Sequence, residues 1–281
     1  MQCYKCATCG RQFLGGNRID NTLLWQQYAT GKQTYSQLSQ KYGCSIKTIQ
    51  RRLDKVKTEK PILEKASVVV LMDTTYFGRG FGVMLFKDAY SGRNLYKQYV
   101  KSETNALYAS GLLFLEQGGF EIKAIVCDGR KGLLSMMPSV PKQMCQFHQV
   151  AIVTRYLTRK PKMQAAKELR EHALLLATTD KESFEGGLVT WHTKWEGFLN
   201  ERSKDKEGKS RYTHRKLRSA YRSLKTNLPW LFTWYEKIEL RIPNTTNAID
   251  GHFADMKNKL RNHNGLSMQR KMKFMDEFLK A

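Results

Sequence analysis

No apolar stretch in the chain exceeds the five residues of Val68–Met72, far short of the roughly 18 that would cross a bilayer. The opening residues also lack the charged-then-apolar pattern of a signal peptide. Neither a membrane protein nor a secreted one is expected. Acidic side chains are scarce, at 25 Asp plus Glu against 48 Lys plus Arg, for a net charge of +23. A surplus of that size points to a polyanionic partner. Core-forming residues are not scarce: at 41% hydrophobic and 11% aromatic, the chain is no disordered basic tail. Cysteines number six, but Cys3, Cys6 and Cys9 crowd the start and Cys44, Cys127 and Cys145 fall within apolar runs. That argues against a disulfide framework and for a reducing, cytoplasmic setting. With 281 residues, there is room for one large domain or two small ones.

The opening MQCYKCATCGRQF places Cys6 and Cys9 two residues apart with Gly10 behind them, the spacing of a zinc knuckle. One knuckle is half a site. Cys3 could add a ligand, but no second Cys-x-x-Cys or nearby His completes a Zn²⁺ set. From Asn21 to Val56, two short periodic segments break at Gly43. Leu38, Tyr42, Ile46, Ile49 and Leu53 fall where a helix-turn-helix buries its inner face, and Ser45 caps the second helix. That helix would expose Lys47, Thr48, Gln50, Arg51 and Arg52 toward phosphates and base edges. The alternative is a three-helix bundle serving another contact.

Lys57–Lys65 is a charged linker. After it, SVVVLMD (67–73) reads as a buried strand ending on Asp73. GFGVMLFKDA and NLYKQYV form an antiparallel hairpin about the turn Tyr90-Ser91-Gly92-Arg93. Glu103–Gly118 is helical, and EIKAIVCDG gives a second buried strand ending on Asp128. From Lys160 to Leu240 the β signals vanish. A helical block carrying Trp191, Trp195, Trp230 and Trp234 follows, and its polar segment Glu201–Lys216 is expected as a mobile or DNA-facing loop. At least two of those tryptophans are expected to be packing residues. From Thr245 to Arg261 helical spacing returns, with Ile249, Phe253, Met256 and Leu260 on one face and Asp250 beside that stripe.

A strand-ending Asp can be a turn or helix cap. Two of them on neighbouring strands suggest a divalent-cation site, because hard cations such as Mg²⁺ take oxygen ligands and two close ions need several carboxylates. Asp250 is the third candidate. Asp255, five positions on, faces away from it and is a fallback. Cys145 and His148 form a C-x-x-H pair, although a lone Cys in QMCQF also packs well as a small hydrophobe.

In this order, Asp73, Asp128, Cys145-Gln146-Phe147-His148, a helical block and Thr245-Thr246-Asn247-Ala248-Ile249-Asp250 resemble the mutator-type insertion-sequence transposases. The likeness spans roughly residues 67 to 265. It implies a ribonuclease H-like core of DDE/DDD type: an α/β fold whose mixed sheet is interrupted by an all-α insertion and preceded by a small helix-turn-helix domain. The implied boundaries are 1–15 for a partial zinc-ribbon knuckle, 16–60 for the helix-turn-helix, 61–159 for the first part of the core, 160–242 for the insertion and 243–281 for the closing helix and basic tail. Asp73, Asp128 and Asp250 would hold Mg²⁺, with Mn²⁺ as an alternative. Asp250 would stand where most relatives have Glu, one methylene longer. His148 would touch the scissile phosphate or position DNA, and Lys259–Ser267, with His263, would be a basic segment following the final acid.

The implied activity is cleavage of transposon ends and their joining to target DNA by phosphoryl transfer, without a covalent protein intermediate. The partners would be double-stranded DNA, at terminal inverted repeats and target, and further copies of the chain in a dimer or larger assembly. No hydroxyl with an arginine cluster suggests a serine or tyrosine recombinase. The competing readings are a decayed transposase or helix-turn-helix regulator, and a structure-selective nuclease on the same fold.

Overall fold

A computed structural model describes residues 2–15, 19–57, 64–136, 140–204, 206–263 and 265–280. The chain divides into two compact units, one formed by Met1–Pro61 with Ala254–Lys280 and the other by Ile62–Phe253.

The smaller unit opens with an antiparallel hairpin, β1 (Gln2–Lys5) and β2 (Gln12–Gly15). Three helices follow: α1 (Asn21–Ala29), α2 (Tyr35–Tyr42) and α3 (Ile46–Lys55). Each starts on a side-chain cap that satisfies first-turn N–H groups. Asp20 accepts from Thr22 and Leu23, Ser45 accepts from Thr48, and Thr34 with Gln37 forms a reciprocal capping box. Gly43 ends α2 in the left-handed region at φ 60°, where a side chain would be strained. Across the turn between α2 and α3, Leu38, Ile49 and Leu53 are buried, as expected of the inner face. Tyr42 is only half-buried. Ile46 is 42% exposed, because it opens α3, where no preceding turn covers it.

Two features of this unit depart from the sequence reading. There are three helices before Val56, not two, since α1 places Leu24, Trp25, Tyr28 and Ala29 in the core. The chain's last helix also belongs here, not to the core expected for 243–281. Leu266 and Phe274 share a cluster with Leu24, Leu38 and Leu53. His263 of the expected basic segment is buried, 4.2 Å from the Tyr28 ring between centroids. Burial lowers its pKa, with a hydrogen bond to the Tyr28 backbone opposing, so it adds no charge there.

The larger unit is built on a five-stranded mixed sheet. Its strands are β3 (Ser67–Tyr76), β4 (Gly82–Asp88), β5 (Asn94–Val100), β6 (Glu121–Cys127) and β7 (Lys142–Met144), in spatial order β5-β4-β3-β6-β7. The β3/β4 and β4/β5 pairs are antiparallel, whereas β3/β6 and β6/β7 are parallel. The helix between β5 and β6, α4 (Asn105–Gln117), is capped by Thr104 and stopped at Gly118. It lies so close to the sheet that a Cβ at Gly111 would sit 2.2 Å from the Phe86 ring.

Beyond the sheet come α5 (Gln146–Leu157), α6 (Gln164–Leu174), α7 (Lys181–Asn200), the hairpin β8 (Arg202–Lys204) and β9 (Ser210–Tyr212), α8 (Arg215–Asn227) and α9 (Thr233–Glu236). The hairpin lies within Glu201–Lys216, the segment expected as a mobile or DNA-facing loop, and gives it regular strand pairing. Its strands are too polar to show an apolar alternation, and Arg202 and Arg218 guanidinium groups lie over the Tyr212 ring at 4.4 and 3.6 Å. None of the four tryptophans of this block is exposed. Trp191 is buried and donates to Ala165 O at 3.0 Å, while Trp195 and Trp230 pack at the core's margin. These are packing roles. The helix α10 (Asn247–Arg261) buries Ile249, Phe253 and Met256, and α11 (Met268–Leu279) closes the chain. Among the described residues no helix is long and apolar enough to cross a membrane.

Candidate active site

Asp73 does not end its strand. β3 runs on to Tyr76 because β4 pairs with it throughout, Asp73 lying opposite Leu85. What ends is the pairing with β6, at Leu71 opposite Val126. Two residues further along each chain stand Asp73 and Asp128, so the register that aligns the strands carries both carboxylates to the same margin of the sheet.

Asp128 is held by its own loop. Its Oδ1 accepts from the Arg130 backbone at 3.2 Å. The Arg130 side chain donates from Nε to Asn105 Oδ1 and from Nη2 to Glu103 O, each at 2.8 Å. Glu103 in turn accepts from Tyr108 Oη at 2.6 Å, and that hydroxyl lies 2.9 Å from Thr74 Oγ1, next to Asp73.

The third acid is brought in by a sulfur. Cys145 sits immediately after β7, where its N–H donates to Cys127 O at 2.8 Å, and its thiol is fully buried. Cys145 Sγ accepts from the Thr246 backbone at 3.3 Å and lies 3.4 Å from Thr246 Oγ1. Thr246, itself buried, precedes α10, and its hydroxyl is also 3.3 Å from Asp250 Oδ2. Gln146 N–H donates to Asn244 O at 2.9 Å, and Asn244 Nδ2 donates back to Gln146 Oε1 at 3.0 Å. The C-x-x-H and T-x-N-x-x-D segments are therefore stitched together, although about 100 residues separate them in the chain.

The charges of these groups act on one another. Burial pushes the Asp73 carboxyl up to about 7. A hydrogen bond from Thr74 and the positive charge of His148 oppose that shift, and Asp250 and Asp128 add to it. His148 is raised to about 9, first by its approach to the Cys145 sulfur and further by Asp73 and Asp250, against the effect of burial. Its Nδ1 is shielded from solvent and has no hydrogen-bond partner among the described residues. Burial pushes the Cys145 thiol up, but the contacts with His148 and Thr246 outweigh it and the net shift is down.

Asp128, Asp250 and His148 thus all lie within electrostatic reach of Asp73. Asp255 does not join them: it is exposed and paired with Lys259 at 3.0 Å. Among the described residues, no three His, Cys, Asp or Glu side chains close on one point as ion ligands. The donor chemistry nevertheless fits a hard divalent cation, being oxygen-only and under-neutralised. Cys6 and Cys9 share the β1–β2 turn, and hydrogen bonds from the Cys9 and Thr8 backbone lower the Cys6 thiol. They remain two thiols of the four that a structural Zn²⁺ needs.

Of the α3 residues, Lys47 and Arg51 are exposed. Arg52 turns inward, donating to Ile19 O at 3.2 Å and Asn21 Oδ1 at 3.3 Å. Thr48 Oγ1 lies 3.0 Å from Ser45 Oγ, and Gln50 is half-buried. Sequence reasoning missed Thr246 as the acceptor-bound start of α10, and Arg130, Asn105 and Tyr108 as the frame around Asp128 and Asp73. The motif spacing holds no sign of them beyond Thr246's place four residues before Asp250.

No family model matches the chain, and no curated protein matches it in sequence. Among solved structures, it is similar to a chain from the cryo-electron microscopy structure of the simian T-cell lymphotropic virus intasome in complex with the PP2A regulatory subunit B56 gamma. The identity is 12%, over 54% of this chain and 67% of that chain, with a TM-score of 0.24. A likeness so distant says nothing of activity. What stands on its own geometry is a mixed α/β unit in which the charges of Asp128, Asp250 and His148 act on a largely desolvated Asp73, and a second unit that includes the helices α1, α2 and α3.

Proposed function

We propose that the chain is a metal-dependent DNA transposase of the mutator type, with a ribonuclease H-like core. The supporting observation is the under-neutralised cluster: three aspartates from β3, the end of β6 and α10, with His148, and Asp73 held up to about 7. Acids are rarely buried against one another for stability, since the arrangement costs folding energy. Asp73, Asp128 and Asp250 are the residues that would hold Mg²⁺ or Mn²⁺. Bound divalent ions would activate a water or 3′-hydroxyl and stabilise the leaving oxygen in an in-line displacement.

The chain's own part is positioning and charge. The Arg130 lattice keeps Asp128 beside Asp73, and the Cys145–Thr246 contact fixes the entry of α10 and with it Asp250. His148, protonated at neutral pH, offers a positive charge to a phosphodiester oxygen. Lys47 and Arg51 on α3 would hold duplex ends, and the charge of +23 would hold target DNA against salt. Pairing two ends requires at least a dimer.

The test is nicking and joining of supercoiled DNA that carries the sequences flanking the gene, with Mg²⁺ or Mn²⁺. Activity should fall at least about 10³-fold in Asp73→Asn and Asp128→Asn, with unchanged circular dichroism. Metal-dependent activity that survives both substitutions would sink the assignment. A second reading, a DNA-binding regulator that has lost catalysis, is favoured by the half zinc site. Under it, duplex binding persists in the wild-type chain with no cleavage at any metal concentration.

A further inference from the structure

One face of α5 has no role in the site just described. Phe147, Val150, Ala151, Thr154, Arg155 and Thr158 recur at helical spacing and, with Arg159 and Arg170, line an open groove of about 540 Å³. Along the helix the stripe extends about 18 Å at 1.5 Å per residue. It is aromatic at one end and basic at the other.

Phe147 is 57% exposed and sits next to His148, the two rings edge to face with centroids 5.8 Å apart. A large aromatic ring that shows more than half its area beside a half-buried histidine offers a stacking surface. At the far end, Arg155 and Arg159 are exposed, and no acidic partner faces them or Arg170 among the described residues. Arg170 Nε is shielded from solvent and has no hydrogen-bond partner among the described residues. Thr158, between the arginines, holds φ 70° and ψ 170°, a conformation almost restricted to glycine and kept where the surroundings require it.

We propose that this groove binds an unpaired nucleic-acid strand, with its phosphates on Arg155, Arg159 and Arg170 and a base stacked on Phe147. An exposed aromatic ring at one end of a groove with cations at the other suits a single strand, whose bases present their faces. A duplex hides those faces. The ring's position beside His148 would put the stacked nucleotide next to the acid cluster. The proposal takes its ligand class from the DNA-processing reading above, but needs no catalysis.

The probe is a random-sequence single strand of about 12 nucleotides carrying 5-iododeoxyuridine, bound to the full chain without metal and photo-crosslinked. Adducts should map to residues 146–159. Phe147→Ala should lose them and weaken strand binding about tenfold, leaving duplex binding unchanged, while Phe147→Tyr retains both. The double variant Arg155→Ala/Arg159→Ala should reduce the slope of log affinity against log salt by about 1.4, at 0.7 per phosphate. Adducts confined to α3, full affinity in Phe147→Ala, or polyglutamate competing as well as the oligonucleotide would overturn the proposal. A chain that shows this crosslink but never nicks DNA removes the catalytic reading and keeps the groove. One that nicks without the crosslink does the reverse.

Discussion

Two aspartates, one from each unit, are held in opposite ways. In the smaller unit, Asp54 is paired with Arg270, Nε and Nη2 donating to its two carboxylate oxygens at 3.0 and 2.7 Å. That pairing holds the carboxyl below its ordinary range. Lys273 donates to the Leu53 and Asp54 carbonyls at 2.5 and 3.1 Å, satisfying the end of α3. In the larger unit, burial raises the Asp73 carboxyl, and the charges of Asp250 and Asp128 add to that rise against the opposing charge of His148. A neutralised acid is part of the architecture. An unneutralised one marks where a ligand's charge is wanted.

The comparison fails first if α11 is not part of the smaller unit. Phe274→Ala should cost about 3–5 kcal/mol, read as an early thermal transition with loss of duplex binding. A loss under about 1 kcal/mol would detach that helix from the helix-turn-helix. Next comes magnesium. At a hundred times its Kd it should stabilise the wild-type chain by about 2.7 kcal/mol, and the shift in melting temperature should vanish in Asp73→Asn.

The same Asp→Asn exchange should then have opposite signs in the two units. A folded pKa of about 7, above the ordinary value, means that metal-free stability falls as pH rises from about 4 to 7. Asp73→Asn should therefore stabilise the metal-free chain at pH 8, by about 1–3 kcal/mol after allowance for its partial exposure. That gain should disappear at pH 4, where the wild-type carboxyl is already protonated in the fold. Asp54 is depressed, so its contribution is present above the ordinary pKa and is lost on acidification. Asp54→Asn should destabilise by about 0.2–1 kcal/mol at pH 7, the smallest of these effects. Equal signs for the two exchanges in denaturant titrations would erase the distinction.

Periodicity and punctuation made some of this legible. The run Val68–Met72, the Ser91-Gly92 turn, and the Thr104 and Gly118 ends of α4 carry their own local energetics. So do Gly43 and Ser45 around the turn before α3. The third strand of the parallel half, β7, was invisible because three residues show no period. The β8–β9 hairpin was invisible because its stability comes from arginines over Tyr212 and not from alternation. Lys47 and Arg51 were correctly read as exposed, but Arg52 was not, because its partner Asn21 lies on another helix. Of the site, the acids could be guessed from order and spacing, whereas the frame of Arg130, Asn105 and Thr246 could not.

By itself, the sequence determined the apolar runs of the central strands, the caps and stops of several helices, and that the molecule carries a large positive charge, since these depend on neighbours a few residues apart. Only the tertiary structure decided that Asp250 comes to Asp73, that a buried sulfur ties α10 to the strand beside it, and that the last helix completes the first domain. Those contacts join segments separated by about 100 residues or more. Their energy comes from desolvation and charge, which exist only once the chain has closed around them.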